Sequence, residues 1–129
     1  MIIRNRESLR GTPQYVESGP WSSFRFFVKS DNMNFSLHDT LVKGGSEQTL
    51  WYKNHFEACI IIEGEAEIED PATGKKFQLG PGSAYGLDKH DRHIFRAITD
   101  TRLICAFYPA LSGNETHDAD GSYRTGESH

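Results

Sequence analysis

Eight short strand-forming runs, roughly ten residues apart and parted by tight-turn residues, restrict this chain to an all-β sandwich or barrel. Residues 23–29, 35–42, 58–62, 65–69, 76–79, 83–87, 93–98 and 102–108 are β-branched, aromatic or alternating. Between them stand Lys43-Gly44-Gly45, Glu63-Gly64, Asp70-Pro71-Ala72-Thr73-Gly74, Gly80-Pro81-Gly82, residues 88–91 and Thr99-Asp100-Thr101. Glycine supplies positive φ in such turns, proline pre-sets φ, and aspartate and asparagine bond the local backbone. Only residues 7–10 hint at a helical turn, and no heptad or solenoid repeat competes.

With 129 residues, the chain fits one domain with a core of its own. Eight Phe, five Tyr and two Trp supply the large side chains to fill it. Residues 1–117 are expected to form the domain and residues 118–129 a flexible C-terminal tail, because the end is rich in Gly, Ser, Asp and Glu. The wider polar stretch 111–129 carries Glu115 and His117 in its first part, so a lid over a barrel mouth is the alternative. A net charge of −4 without any basic run argues against nucleic acid or an anionic membrane as partner. The opening Met1-Ile2-Ile3-Arg4-Asn5-Arg6 lacks the apolar stretch of an export signal, and Ala58-Cys59-Ile60-Ile61-Ile62 is too short to span a bilayer. A cytoplasmic location is expected, with Cys59 and Cys105 as packed free thiols rather than a disulfide.

Two glycine-punctuated spacings carry chemistry. Gly45, five residues, Trp51, one residue, Lys53, three residues, Glu57, six residues and Gly64 match the first pattern of cupins, G-x5-H-x-H-x3-E-x6-G, at both glycines and the glutamate. Gly82, five residues and then Asp88-Lys89-His90, two residues and His93 match the second pattern, G-x5-P-x-G-x2-H-x3-N, at its first glycine and its histidine. Ligands at alternate strand positions point into one barrel and converge on one metal. Here Trp51 and Lys53 replace the two histidines, leaving Glu57 and His93. Tyr85, on the strand between Gly82 and the 88–91 turn, is the third candidate, a hard oxygen donor suited to iron and acceptable to zinc or manganese. Spacing alone leaves two outcomes open: a three-ligand site with an open position, or a degenerate barrel without metal. A carboxylate between His55-Phe56 and Ala58-Cys59-Ile60 favours the first, since burying it is costly without a cation.

Longer stretches resemble ectoine synthases: Trp51-Tyr52-Lys53-Asn54-His55-Phe56-Glu57-Ala58, Ile62-Glu63-Gly64-Glu65, Tyr85-Gly86-Leu87-Asp88-Lys89-His90-Asp91-Arg92-His93 and Pro109-Ala110-Leu111-Ser112-Gly113-Asn114-Glu115-Thr116-His117. The opening Met1-Ile2-Ile3-Arg4-Asn5 and the closing Asp120-Gly121-Ser122-Tyr123 join them. The resemblance implies a cupin jelly-roll barrel, a head-to-tail homodimer, and iron(II) held by Glu57, Tyr85 and His93. It implies closure of N-γ-acetyl-L-2,4-diaminobutyrate into ectoine with loss of water, a hydro-lyase reaction in compatible-solute synthesis. The metal would serve as Lewis acid and template.

Such a zwitterionic substrate needs a carboxylate anchor, and Arg25 beside Trp21 is the candidate, since a planar guanidinium reads carboxylates well. Tyr52, Glu115 and His117 are the candidate acid and base groups. Tyr52 lies five residues before Glu57, so a bend near residues 53–55 is required to turn both inward. By resemblance Thr40 and Phe107 line the pocket, with Cys105 as a packed thiol beside them. His38 and His55 are expected to satisfy core hydrogen bonds, and His90 to be an exposed turn residue. The chain departs from the family at Thr49, Ile60 and Ala66, where histidine, an aromatic and glycine are usual; none is a proposed ligand. Competing readings are a non-catalytic cupin that binds a small zwitterion, a cyclase or hydrolase of a related N-acetyl diamino acid, and an oxygen-using iron cupin. The lost histidines weigh against the last.

Overall fold

A computed structural model describes residues 1–113, 116–117 and 121–123. Ten strands run in order: β1 (Tyr15–Ser18), β2 (Trp21–Phe27), β3 (Ser36–Val42), β4 (Glu47–Trp51), β5 (Phe56–Glu63), β6 (Ala66–Asp70), β7 (Lys75–Leu79), β8 (Ala84–Leu87), β9 (Arg92–Ala97) and β10 (Thr101–Tyr108). The eight expected runs all form strands; β1 and β4 are additional. The helical hint becomes a single 3-10 turn over Glu7–Leu9, and a second such turn covers Lys29–Asp31.

The strands form two antiparallel sheets, β1-β2-β3-β10-β5-β8 and β4-β9-β6-β7. Together they make the jelly-roll arrangement of two facing sheets. Strict alternation fixes which residues face inward: β5 buries Glu57, Cys59 and Ile61, and β10 buries Thr101, Leu103, Cys105 and Phe107. A one-residue slip in either strand would empty the interior of these groups. Val42, Ile61, Ala66, Ala97 and Leu103 belong to one buried apolar cluster that also takes in Trp21, Tyr52, Phe107 and Tyr123. Of the eight Phe residues, Phe24, Phe95 and Phe107 are buried, whereas Phe35, Phe56 and Phe77 are exposed on outer surfaces.

The three glycines at the spaced positions have a physical reason. Gly45, Gly64 and Gly82 lie at φ 82°, 94° and 90°, in the left-handed region. At Gly64 a Cβ would also collide with the Asp100 carbonyl oxygen, where two hairpins cross. Charged clamps tie the strands from outside. Arg96 of β9 reaches Glu47 of β4 at 3.0 Å and Glu67 and Glu69 of β6 at 2.8 and 2.7 Å. Asp39 receives Arg102 at 2.8 Å and Arg6 at 3.2 Å, and Arg4 pairs with Asp31 at 2.7 Å.

Residues 121–123, assigned to the tail by composition, instead pack on the barrel. The Trp51 amide donates to the Gly121 carbonyl at 3.0 Å, the Lys53 amide to Ser122 Oγ at 3.0 Å, and Asn54 Nδ2 to the Tyr123 carbonyl at 2.9 Å. Gly121 makes the approach possible: its φ is 73°, and a Cβ would strike the Thr49 carbonyl oxygen. No helix among the described residues is long and apolar enough to cross a membrane.

Candidate active site

The six-stranded sheet presents a polar inner face. Across it, register aligns Arg25 with His38, His38 with Cys105, Cys105 with Cys59, and Cys59 with Tyr85. One step along, Ser23 faces Thr40 and Phe107 faces Glu57. The interior cavity is lined by Trp21, Arg25, Thr40, Glu57, Tyr85, Cys105 and Phe107 from this sheet, with Gln48, Leu50 and Phe95 from the other. Tyr52, His117 and Tyr123 close one end.

Tyr52 reaches the cavity because the chain leaves strand geometry after Trp51 and re-enters it at Phe56. That bend lets Tyr52 and Glu57 both turn inward despite their odd spacing. The Tyr52 hydroxyl lies 3.0 Å from His117 Nε2. The Tyr52 ring stacks on Tyr123 at 5.2 Å and meets Phe107 edge-on at 5.2 Å. His117 stacks on Tyr123 at 4.5 Å and meets the Trp21 edge at 5.5 Å. Burial holds the Tyr52 phenol well above the usual tyrosine range, so its proton stays on.

Arg25 is 1% exposed, with its guanidinium 5.5 Å from the Trp21 ring centre. This places a buried guanidinium on the cavity wall. Thr40 donates to Ser23 Oγ at 3.0 Å, and His38 contacts Ser36 Oγ at 3.1 Å. Burial, and then the Arg25 charge, keeps His38 neutral, with its pKa well below the usual value. His90 is half-buried in its turn: its Nδ1 lies 2.9 Å from the Tyr52 carbonyl, and its own carbonyl accepts from Trp51 Nε1 at 2.9 Å. It braces the bend that aims Tyr52, rather than standing free as an exposed turn residue.

Glu57 and Tyr85 lie two positions apart on neighbouring strands, on the same inner face, and both line the cavity. His93 stands on β9 of the facing sheet, paired with Leu50. It lines an adjoining side recess of about 660 Å³, which shares Tyr85 with the cavity. His93 Nδ1 is 3.0 Å from the Asp91 carbonyl, which fixes that nitrogen as the N–H donor and leaves Nε2 as the lone-pair atom. Nε2 is buried without a hydrogen-bond partner among the described residues. Burial raises the Glu57 carboxyl to about 7, and its hydrogen bond comes from the weak Cys59 S–H donor at 3.1 Å. Burial also drives the Tyr85 phenol well above its ordinary range. An imidazole lone pair, a poorly solvated carboxyl and a phenol are donor types that suit a divalent cation, and the buried Glu57, Cys59 and Cys105 ligand atoms lie within 4.8 Å of one another. The residues present fit a metal.

Both cysteines are free thiols, and burial pushes Cys105 up to about 11. Of the residues anticipated from sequence, Trp21, Arg25, Thr40, Tyr52, Glu57, Tyr85, Cys105, Phe107 and His117 share the cavity. His93 approaches from the side recess, its ring 5.7 Å from that of Tyr52. Glu115 lies outside the described residues. Tyr123 was not anticipated; a lone large aromatic after a glycine within a polar stretch was the available signal.

The ectoine synthase family model matches residues 1–127. An L-ectoine synthase of Oceanobacillus iheyensis is 48% identical over 123 residues, covering 95% of this chain and 96% of the relative. The crystal structure of an ectoine synthase from P. lautus superposes with a TM-score of 0.87 at 43% identity, covering 94% of this chain and 87% of the other. An RmlC-like cupin from Shewanella frigidimarina shares the fold, with a TM-score of 0.63 at 20% identity over 78% of this chain and 87% of that one. Barrel, cavity and full-length similarity agree: the chain belongs to the ectoine synthase family of cupins.

Proposed function

We propose that this protein is an ectoine synthase, a hydro-lyase that closes N-γ-acetyl-L-2,4-diaminobutyrate into ectoine and releases water. The similarity of nearly the whole chain to L-ectoine synthases carries this reading. The composition of the cavity supports it. Arg25 takes the substrate carboxylate, and the Trp21 and Phe107 rings flank the folded chain. Thr40 and Cys105 fill the wall between them. Enclosure holds the α-amine against the acetamide carbon and keeps out water that would compete at that carbon. The Tyr52 hydroxyl, kept protonated, donates to the departing oxygen, and His117 Nε2 at 3.0 Å exchanges protons with it. Glu115 is a further acid–base candidate from its place beside His117 in the sequence. Glu57, Tyr85 and His93 would hold a divalent ion, iron(II) first and zinc or manganese as alternatives, that supplies Lewis-acid polarisation of the amide carbonyl.

The enzyme is read as a cytoplasmic head-to-tail homodimer. Phe35, Phe56, Ile60, Ile62 and Tyr108 are 41–57% exposed on the outside of the six-stranded sheet, an apolar face that a second copy would cover. Anaerobic incubation with iron(II) and the acetylated diamino acid, followed by NMR, should show the cyclic amidine. Glu57→Ala and His93→Ala should abolish it with the fold intact. Turnover that survives both changes would refute the assignment.

A further inference from the structure

The cavity holds a second donor set that overlaps the proposed metal set only at Glu57. Cys59 and Cys105 face each other across β5 and β10, and Glu57 lies two residues along β5 on the same face. The Cys59 and Cys105 sulfurs are 3.0 Å apart, and the Cys59 sulfur is 3.1 Å from Glu57 Oε2. One ligand atom from each of the three residues lies within 4.8 Å of the other two, and all three residues are buried. Glu57 and Cys105 line the cavity, which gives an ion a path to them.

We infer that Glu57, Cys59 and Cys105 form a binding site for a thiophilic divalent cation of the zinc–cadmium class, sharing Glu57 with the Glu57–Tyr85–His93 set. Zinc–sulfur bonds of about 2.3 Å place two tetrahedral thiolates about 3.7 Å apart. The two sulfurs therefore need to part by well under 1 Å, within reach of small side-chain rotations. Two thiolates and a carboxylate suit zinc or cadmium, whereas iron(II) and manganese are served better by oxygen and imidazole donors. Both thiol protons leave to solvent on binding, and a water completes the coordination. Because Glu57 cannot serve both sets at once, a thiophilic ion on the thiols withdraws the carboxylate from the other set.

The test is a cadmium titration of the metal-free full-length protein, read by the ultraviolet sulfur-to-cadmium charge-transfer band and by equilibrium dialysis. One ion per chain with a thiolate band is expected. Cys59→Ser and Cys105→Ser should each weaken binding by about 10–100-fold or more and diminish the band. His93→Gln and Tyr85→Phe should keep it. Absence of the band in the wild type refutes the site, and so does a band lost as completely in His93→Gln as in the cysteine variants. Should a serine variant misfold by circular dichroism, maleimide labelling of the wild type decides: cadmium should slow alkylation of both thiols, and unchanged labelling overturns the proposal. None of these readouts depends on ring closure, so failure of the proposed reaction would leave the result interpretable.

Discussion

Gly121→Ala tests whether the docked segment at residues 121–123 builds the active site or merely decorates the barrel. Three hydrogen bonds hold the segment, each worth about 1 kcal/mol net. Burial of the Tyr123 ring adds about 2–3 kcal/mol. Against these stands about 1–2 kcal/mol of backbone entropy for each ordered residue. The docked state is therefore favoured by only a few kcal/mol. An alanine Cβ at φ 73° costs about 1–2 kcal/mol from conformation alone, and its collision with the Thr49 carbonyl adds about 1–3 kcal/mol. The penalty of about 2–5 kcal/mol meets or exceeds the docking margin of about 0–3 kcal/mol, so the segment should release while the barrel, which shares none of these strains, keeps its melting temperature. Amide exchange at Trp51, whose N–H is held by the Gly121 carbonyl, should accelerate, and turnover should fall with it as Tyr52 and His117 lose the Tyr123 stack. Lost turnover with Trp51 still protected, or an exposed Trp51 with full turnover, would refute the reasoning.

Arg25→Gln should lower kcat/KM about 10–100-fold, the worth of one charge-assisted hydrogen bond of about 1.5–3 kcal/mol, with most of the effect in KM under steady-state kinetics. Asp31→Asn should cost about 1–3 kcal/mol in urea unfolding at neutral pH. The Arg4 hydrogen bond depresses the folded Asp31 pKa, so this stability is complete above the unfolded aspartate value, about 3.9, and disappears as pH falls through the lower folded value. Wild type and variant should therefore converge in strong acid, and a gap that persists there would sink the assignment. Ile60→Asp together with Phe56→Glu should shift the protein from dimer to monomer in sedimentation, because both side chains stand on the exposed apolar face.

Alternation and turn chemistry made most strands legible before any coordinates. β4 escaped because Glu47-Gln48-Thr49-Leu50-Trp51 buries only Leu50, so its apolar signal is one residue deep. β1 buries no residue fully, with Glu17 exposed and the rest half-buried, and gives no clean period. The inward placement of Glu57 and the burial of His93 were readable because alternation along a strand is a property of the local chain. The separation of His93 onto the opposite sheet from Glu57 and Tyr85 was not, since it depends on which strands pair across long sequence distances. Tyr123 was hidden for a different reason. Composition reports whether a segment can fold alone, whereas this one gains its order from a surface that the barrel has already built.

The six-stranded sheet keeps Arg25, His38, Glu57 and the two thiols inside and leaves Phe56, Ile60 and Ile62 outside. Such a sheet is turned the wrong way round for a solitary life in water. In the dimer proposed above, dilution is the stress tolerated least, because separating two copies exposes that apolar face to water. The melting point of such a dimer should climb with protein concentration.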